Sequence, residues 1–145
     1  MDNINREQIY AANADINLPD LSNATPLEIA EGIHQVLYKK KGRNIQVIEV
    51  KEKTVIADFF VLSSATSGTQ ARALAEIVVE KLKEAGVRPI RVEGLGERRC
   101  EWAVVDYGSV MVHVFTREAR EFYNLDRLYS GTGEVYTMLP NGDED

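Results

Sequence analysis

Residues 97–115 read ERRCEWAVVDYGSVMVHVF and hold the chain's single cysteine, Cys100, its single tryptophan, Trp102, and one of its two histidines, His113. Asp106-Tyr107-Gly108-Ser109 forms a tight reversal between two strands, because Gly108 takes turn conformations that a Cβ resists. Setting Asp106 opposite Ser109 places Val104 opposite Met111, Trp102 opposite His113 and Cys100 opposite Phe115. Side chains alternate across a strand, which sorts Ala103, Val105, Val110, Val112 and Val114 onto one small dry face. Cys100, Trp102, Val104, Met111, His113 and Phe115 fall on the other. The valine face suits helix packing. The aromatic face has two readings: a core anchor with a hydrogen-bonded histidine, or, if helices leave it open, a protein interface.

Upstream, residues 89–94 (PIRVEG) supply a further short strand. Before it, SGTQARALAEIVVEKLKEA, residues 67–85, reads as a helix. Ser67 and Gln70 have capping-box spacing; Ala71, Leu74, Ala75, Val78, Leu82 and Ala85 make the core stripe, and Gly86 ends it. Residues 44–50 and 57–63 are two neighbouring strands. The run of residues 56–62, IADFFVL, is nearly continuous in apolar side chains, as a central strand packed on both sides should be. Thr25-Pro26-Leu27-Glu28 predicts a capped helix start, Lys39 to Lys41 favour its negative end, and Gly42 is read as a left-handed stop. Residues 1–23 lack a sustained period and read as a loosely ordered extension, with one helical turn around 6–14. Downstream, Thr116 caps a short helix whose followers Leu125, Leu128 and Tyr129 cover an end of the core. Residues 131–145 read as an acidic, solvated tail, leaving 24–130 as the single domain.

Composition narrows the function. Twenty-three acidic against seventeen basic residues give a net charge of −6, which disfavours general phosphate-backbone binding and favours a basic protein partner. A lone cysteine forms no disulfide within the chain and fits a reducing compartment. Neither Cys-x-x-Cys nor His-Glu-x-x-His spacing occurs, so no metal site is expected. No signal-like leader and no membrane-length apolar run are present, which makes the cytoplasm the expected location. A nucleophilic set of Cys100, His113 and Asp58 or Asp106 has the right residue types, but nothing identifies an oxyanion hole and an apolar setting keeps Cys100 a thiol. The Ser/Thr-rich stretch at 63–70 lacks both phosphate-loop patterns. No catalytic, cofactor or metal residue is assigned.

Several ordered segments carry a resemblance: 58–61 (DFFV), Ser67 with 70–75 (QARALA), 92–94 (VEG), 102–108 (WAVVDYG), 112–115 (VHVF) and 120–129 (REFYNLDRLY). Over about residues 25–130 the chain resembles the ribosomal silencing factor, or Iojap, family. The resemblance implies an α/β single domain with a mixed, roughly five-stranded sheet and flanking helices, nucleotidyltransferase-like in fold but without that catalysis. Ser63-Ser64 stands where a glycine-containing opening would be, and no Asp-x-Asp pair surrounds Asp58. It also implies binding to the large ribosomal subunit through a small basic protein of its intersubunit face, obstruction of small-subunit joining, and reduced translation when nutrients are scarce. Organellar relatives assist large-subunit assembly, and homodimers occur in the family. Direct RNA binding is not required. The candidate partner-binding residues are Asp58, Glu93, Trp102, Asp106, Met111, His113, Phe115 and Tyr123: the aromatic and aliphatic groups as anchors, the acidic ones for orientation.

Overall fold

The computed structural model describes residues 16–96 and 99–129, together with the backbone of the strand pair 135–136. In chain order the elements are α1 (Pro26–Lys39), β1 (Arg43–Glu49), β2 (Phe59–Ala65), α2 (Gly68–Glu84) and β3 (Arg91–Glu93), then β4 (Trp102–Asp106), β5 (Val110–Thr116), α3 (Arg117–Tyr123), α4 (Leu125–Leu128) and β6 (Val135–Tyr136). The sheet order is β3-β4-β5-β2-β1-β6. Five strands build the mixed sheet expected from the sequence, and the two-residue β6 adds a sixth at one edge. β2 runs parallel to β5 and antiparallel to β1, while β5 pairs antiparallel with β4.

β2 is buried at every position, as a strand with helices on both faces must be. One face is covered by α1 and α2, whose Ile33, Val36, Leu37, Leu74, Val78 and Leu82 meet Val61, Ala103, Val105, Val112 and Val114. Burying each of the larger of these side chains stabilises by about 1.5–3 kcal/mol relative to exposure. The other face carries Phe60, Leu62, Met111 and Phe115, and here Ala119, Leu125 and Tyr129 from the C-terminal helices close the layer. The run of 56–62 is not all strand, however: Ile56 is exposed and pairing begins at Phe59, because residues 50–58 make the connection between β1 and β2.

The helix starts follow their side chains. Thr25 Oγ1 accepts from the Glu28 N–H and the Glu28 carboxylate accepts from the Thr25 N–H, with Pro26 in the first turn. Ser67 Oγ accepts from the Gln70 N–H, but Gln70 Oε1 reaches back to the Thr66 N–H at 2.6 Å, one residue further than the capping box expects. The stop after α1 also differs. Lys41, not Gly42, takes the left-handed conformation (φ 71°). Gly42 is needed for space: a Cβ there would lie 2.6 Å from the buried Ser63 Oγ and 3.1 Å from the Leu37 carbonyl oxygen. Gly42→Ala should therefore lower stability by about 1–3 kcal/mol through overpacking. Urea unfolding checks this, and an unchanged midpoint would contradict it.

The β4–β5 hairpin corrects the expected register. Asp106 faces Met111, Val104 faces His113, and Trp102 faces Phe115. The reversal is centred on Gly108-Ser109, with Tyr107 N–H bonded to the Val110 carbonyl and Gly108 at φ 86°. A two-residue hairpin loop with glycine at its first central position matches the twist of the flanking strands, which moves every pair by two residues. A slip of two preserves the faces, so the division into a valine face and an aromatic face survives. Cys100 does not obey it: it precedes β4 and is buried in the α1–α2 layer, beside Gly68.

The extension is not loose throughout. Ile16 and Leu21 are buried, Leu18 and Leu21 lie over Gly32 of α1, and the Leu21 N–H donates to the Ala85 carbonyl at 2.8 Å. Three apolar side chains without regular spacing fill the groove between α1 and the end of α2, a pairing that periodicity does not signal. The helical turn expected at 6–14 lies outside the described residues. So does the tail beyond 130, except that Val135 and Tyr136 pair with Ile48 and Val47 of β1.

Candidate partner-binding site

The aromatic face is held by β4 and β5 and roofed by α3 and α4. Trp102 on β4 stacks obliquely on Phe115 of β5, ring centres 4.9 Å apart, and on Tyr123 of α3 at 4.6 Å. Phe60 of β2 meets His113 edge-on at 4.6 Å and Tyr129 at 4.8 Å. The Trp102 Nε1–H donates to His113 Nδ1 at 3.1 Å. That bond fixes the neutral imidazole with its proton on Nε2, which is buried and finds no hydrogen-bond partner. Burial pushes the His113 pKa down to about 4, with the Asp106 carboxylate pulling weakly the other way.

Roofing decides which candidates reach a partner. Phe115, His113 and Met111 are buried beneath the chain's own helices. They support the surface and are not free to contact another molecule. Trp102 is half-buried, while Tyr123 is 49% exposed. Phe122, which was not among the candidates, stands beside them, 80% exposed and edge-on to Tyr123 at 5.0 Å. Leu128, expected to cover an end of the core, is 56% exposed instead, and Leu125 and Tyr129 do the covering. A signal for Phe122 was present. Adjacent helical residues point about 100° apart, so a seven-residue helix that buries Ala119 and Arg120 cannot also bury both Phe122 and Tyr123.

The acidic candidates lie elsewhere. Asp58 precedes β2 and Asp106 ends β4, at the hairpin-turn end of the sheet, where the Asp58 N–H donates to the Ser109 carbonyl. Trp102 and Phe115 sit at the opposite end of the same strands, roughly 13–20 Å away at about 3.3 Å per residue. Asp106 is locally committed: Oδ1 accepts from the Gly108 N–H at 2.8 Å and Oδ2 pairs with Arg91 at 3.2 Å. Glu93, on the edge strand β3, makes an exposed pair with Arg91 at 3.3 Å, worth about 0–1 kcal/mol. The eight candidates thus do not form one site: Trp102, His113, Phe115 and Tyr123 cluster together, Asp58, Asp106 and Met111 lie at the turn end, and Glu93 stands on the edge strand. Nor do Cys100 and His113 meet, since they lie in the core layers on opposite faces of the sheet. Among the described residues no three His, Cys, Asp or Glu side chains converge to hold a metal. No described helix is long and apolar enough to cross a membrane.

Comparison with known proteins places this arrangement. Residues 23–144 match the family described as "Ribosomal silencing factor during starvation". The chain is 32% identical over 104 residues to the ribosomal silencing factor RsfS of Haemophilus influenzae, covering 72% of this chain and 100% of that protein. It is 31% identical over 98 residues to a mouse protein named "Mitochondrial assembly of ribosomal large subunit protein 1", covering 66% of this chain and 42% of the mouse protein. A crystal structure of a Chromobacterium violaceum protein superposes with a TM-score of 0.70 at 30% identity, over 81% of this chain and 97% of that one.

Proposed function

The chain belongs to the ribosomal silencing factor family, and from that membership we propose that it acts without catalysis: it binds the large ribosomal subunit and occupies space the small subunit must enter. Translation then falls when nutrients are scarce, with no bond made or broken. The observation that carries this reading is the exposed pair of Phe122 and Tyr123 on α3, backed by Trp102. Aromatic groups on a rigid support supply most of the energy of a protein interface, while exposed charges contribute mainly to approach and orientation. The net charge of −6 favours a small basic protein of the intersubunit face as the attachment point and leaves direct RNA contact unnecessary. The compartment proposed for this role is the cytoplasm.

Sedimentation with separated subunits tests the proposal. Wild-type protein should travel with large subunits and reduce the joined-particle peak when small subunits are added. Phe122→Ala removes an exposed ring that stabilises nothing in the core, so its fold should be unchanged on circular dichroism. Its attachment should weaken about 30-fold, as expected for an interface anchor contributing about 2 kcal/mol. Normal joining at saturating attachment would reject obstruction, and undiminished attachment of Phe122→Ala would reject this surface. A second reading, assistance in large-subunit assembly, is favoured by the name of the mouse relative. Accumulation of immature large particles on depletion, under rich conditions, would select it.

A further inference from the structure

We propose that Arg120 is the positioning residue that holds α3 and α4 in the orientation needed to present Phe122 and Tyr123. This rests on the reading of that surface as the subunit contact. Arg120 is buried, and its guanidinium ties together four parts of the chain. Nε and Nη2 donate to the two carboxylate oxygens of Asp126 in α4, at 3.2 and 2.8 Å. Nη1 donates to the Asn44 carbonyl of β1 at 2.6 Å and to Ser64 Oγ of β2 at 3.0 Å. The arginine itself sits on α3, so one side chain joins both short helices to two strands.

These helices need such a tie. α3 has seven residues and α4 four, too short to hold their shape without tertiary contacts. Between them Asn124 takes the left-handed conformation (φ 51°). It closes α3 through its N–H to the Arg120 carbonyl and caps α4 by accepting from the Arg127 N–H. The helices therefore meet at a single-residue corner, and the angle across it is set by the Arg120–Asp126 fork. The Arg117–Glu121 pair, exposed and 3.9 Å long, fixes nothing comparable. The far side of the fork is anchored in the most rigid part of the molecule, since Ser64 belongs to the buried central strand and Asn44 lies at the bulge of β1. A planar guanidinium satisfies these partners together; an ammonium, a point charge on a flexible stem, cannot.

Breaking the fork leaves a buried positive charge with two neutral acceptors, which favours states in which α3, which carries that charge, lifts with α4 to hydrate it. Attachment weakens by the fraction of time the surface is assembled, so a helix pair docked a tenth of the time binds about tenfold more weakly. Trp102 reports the docking directly, because it is the only tryptophan and Tyr123 shields it.

The experiment compares wild type, Asp126→Asn and Arg120→Lys at a temperature where all three are folded by circular dichroism. It measures acrylamide quenching of Trp102, cosedimentation with large subunits, and the urea midpoint. In both variants quenching should rise and attachment should fall about tenfold. A lowered urea midpoint with wild-type quenching and wild-type attachment would show that the fork only stabilises, and would overturn the proposal. If Asp126→Asn does not fold, Arg120→Lys, which keeps the charge beside Asp126, carries the same comparison. Should wild-type protein fail to sediment with large subunits, the binding reading falls. Quenching alone then decides whether Arg120 orders the helices, and unchanged quenching overturns that as well.

Discussion

Phe115→Ala should lower the stability of the domain by about 3–5 kcal/mol, the usual loss when a large aromatic leaves a core. Phe115 is completely buried, stacked on Trp102, beside Ser64 on β2 and beneath the start of α3. The cavity cannot collapse readily, since two of its walls are strand backbones fixed by ladders on both sides. A domain of this size has about 5–15 kcal/mol in total, so the variant should melt about 10 °C or more below wild type. Phe115→Leu, which keeps much of the volume, should recover more than half of that. Thermal and urea unfolding give both numbers, and a loss below about 1 kcal/mol for the alanine variant would mean that the roof of α3 and α4 does not pack as described. The contrast with Phe122→Ala is informative because both are phenylalanines close to Trp102 or Tyr123. The first should lose stability with its exposed groups unaltered; the second should keep its stability and lose attachment.

Much of this architecture was legible because local chemistry and tertiary structure agree. Thr25-Pro26-Leu27-Glu28 specifies a helix start by itself, and so does Thr116, whose Oγ1 accepts from the Ala119 N–H. Alternation in residues 102–106 and 110–116 sorted the two faces correctly even though the register was displaced, since a displacement of two leaves the alternation intact. The errors arose where one residue's role depends on distant neighbours. Gly42 resembles a left-handed stop, but Lys41 takes that conformation and Gly42 makes room for Ser63. Cys100 was assigned by counting back past the end of β4, where alternation no longer applies. The aromatic residues were recognised as a group, but whether helices cover them is a question of layer packing, and the packing buries Phe115 and leaves Phe122 exposed. Arg120 was the least accessible. Charged residues are seldom buried without a partner, and its backbone and hydroxyl acceptors lie 76 and 56 positions away in the chain.

Stability should fall as the solution is acidified from about pH 6.5 to about pH 4, and His113 should account for most of the fall. The unfolded chain takes up a proton on this imidazole near its ordinary value of 6.5, whereas the folded protein resists until about 4 because the ring is desolvated. Between those values the unfolded state binds more protons, so acid favours unfolding; above 6.5 the two states match and the effect vanishes. The interval corresponds to about 3 kcal/mol at most, at 1.36 kcal/mol per unit. Asp106 supplies the nearby negative charge that limits the shift, and His34, buried on α1 with its Nε2 unpartnered, adds a smaller contribution of the same sign. Protonation at Nδ1 also sets an N–H against the Trp102 N–H, so the bond at 3.1 Å must break and Trp102 must lose its internal acceptor. His113→Gln keeps an acceptor for Trp102 without a titrating group. Its urea midpoint should vary much less than that of wild type across this window, the remainder belonging to His34 and disappearing in the double variant with His34→Gln. A wild-type midpoint that stays constant from pH 6.5 to 4, or a His113→Gln profile as steep as wild type, would show that the imidazole is hydrated and that the roof over the aromatic face stands open.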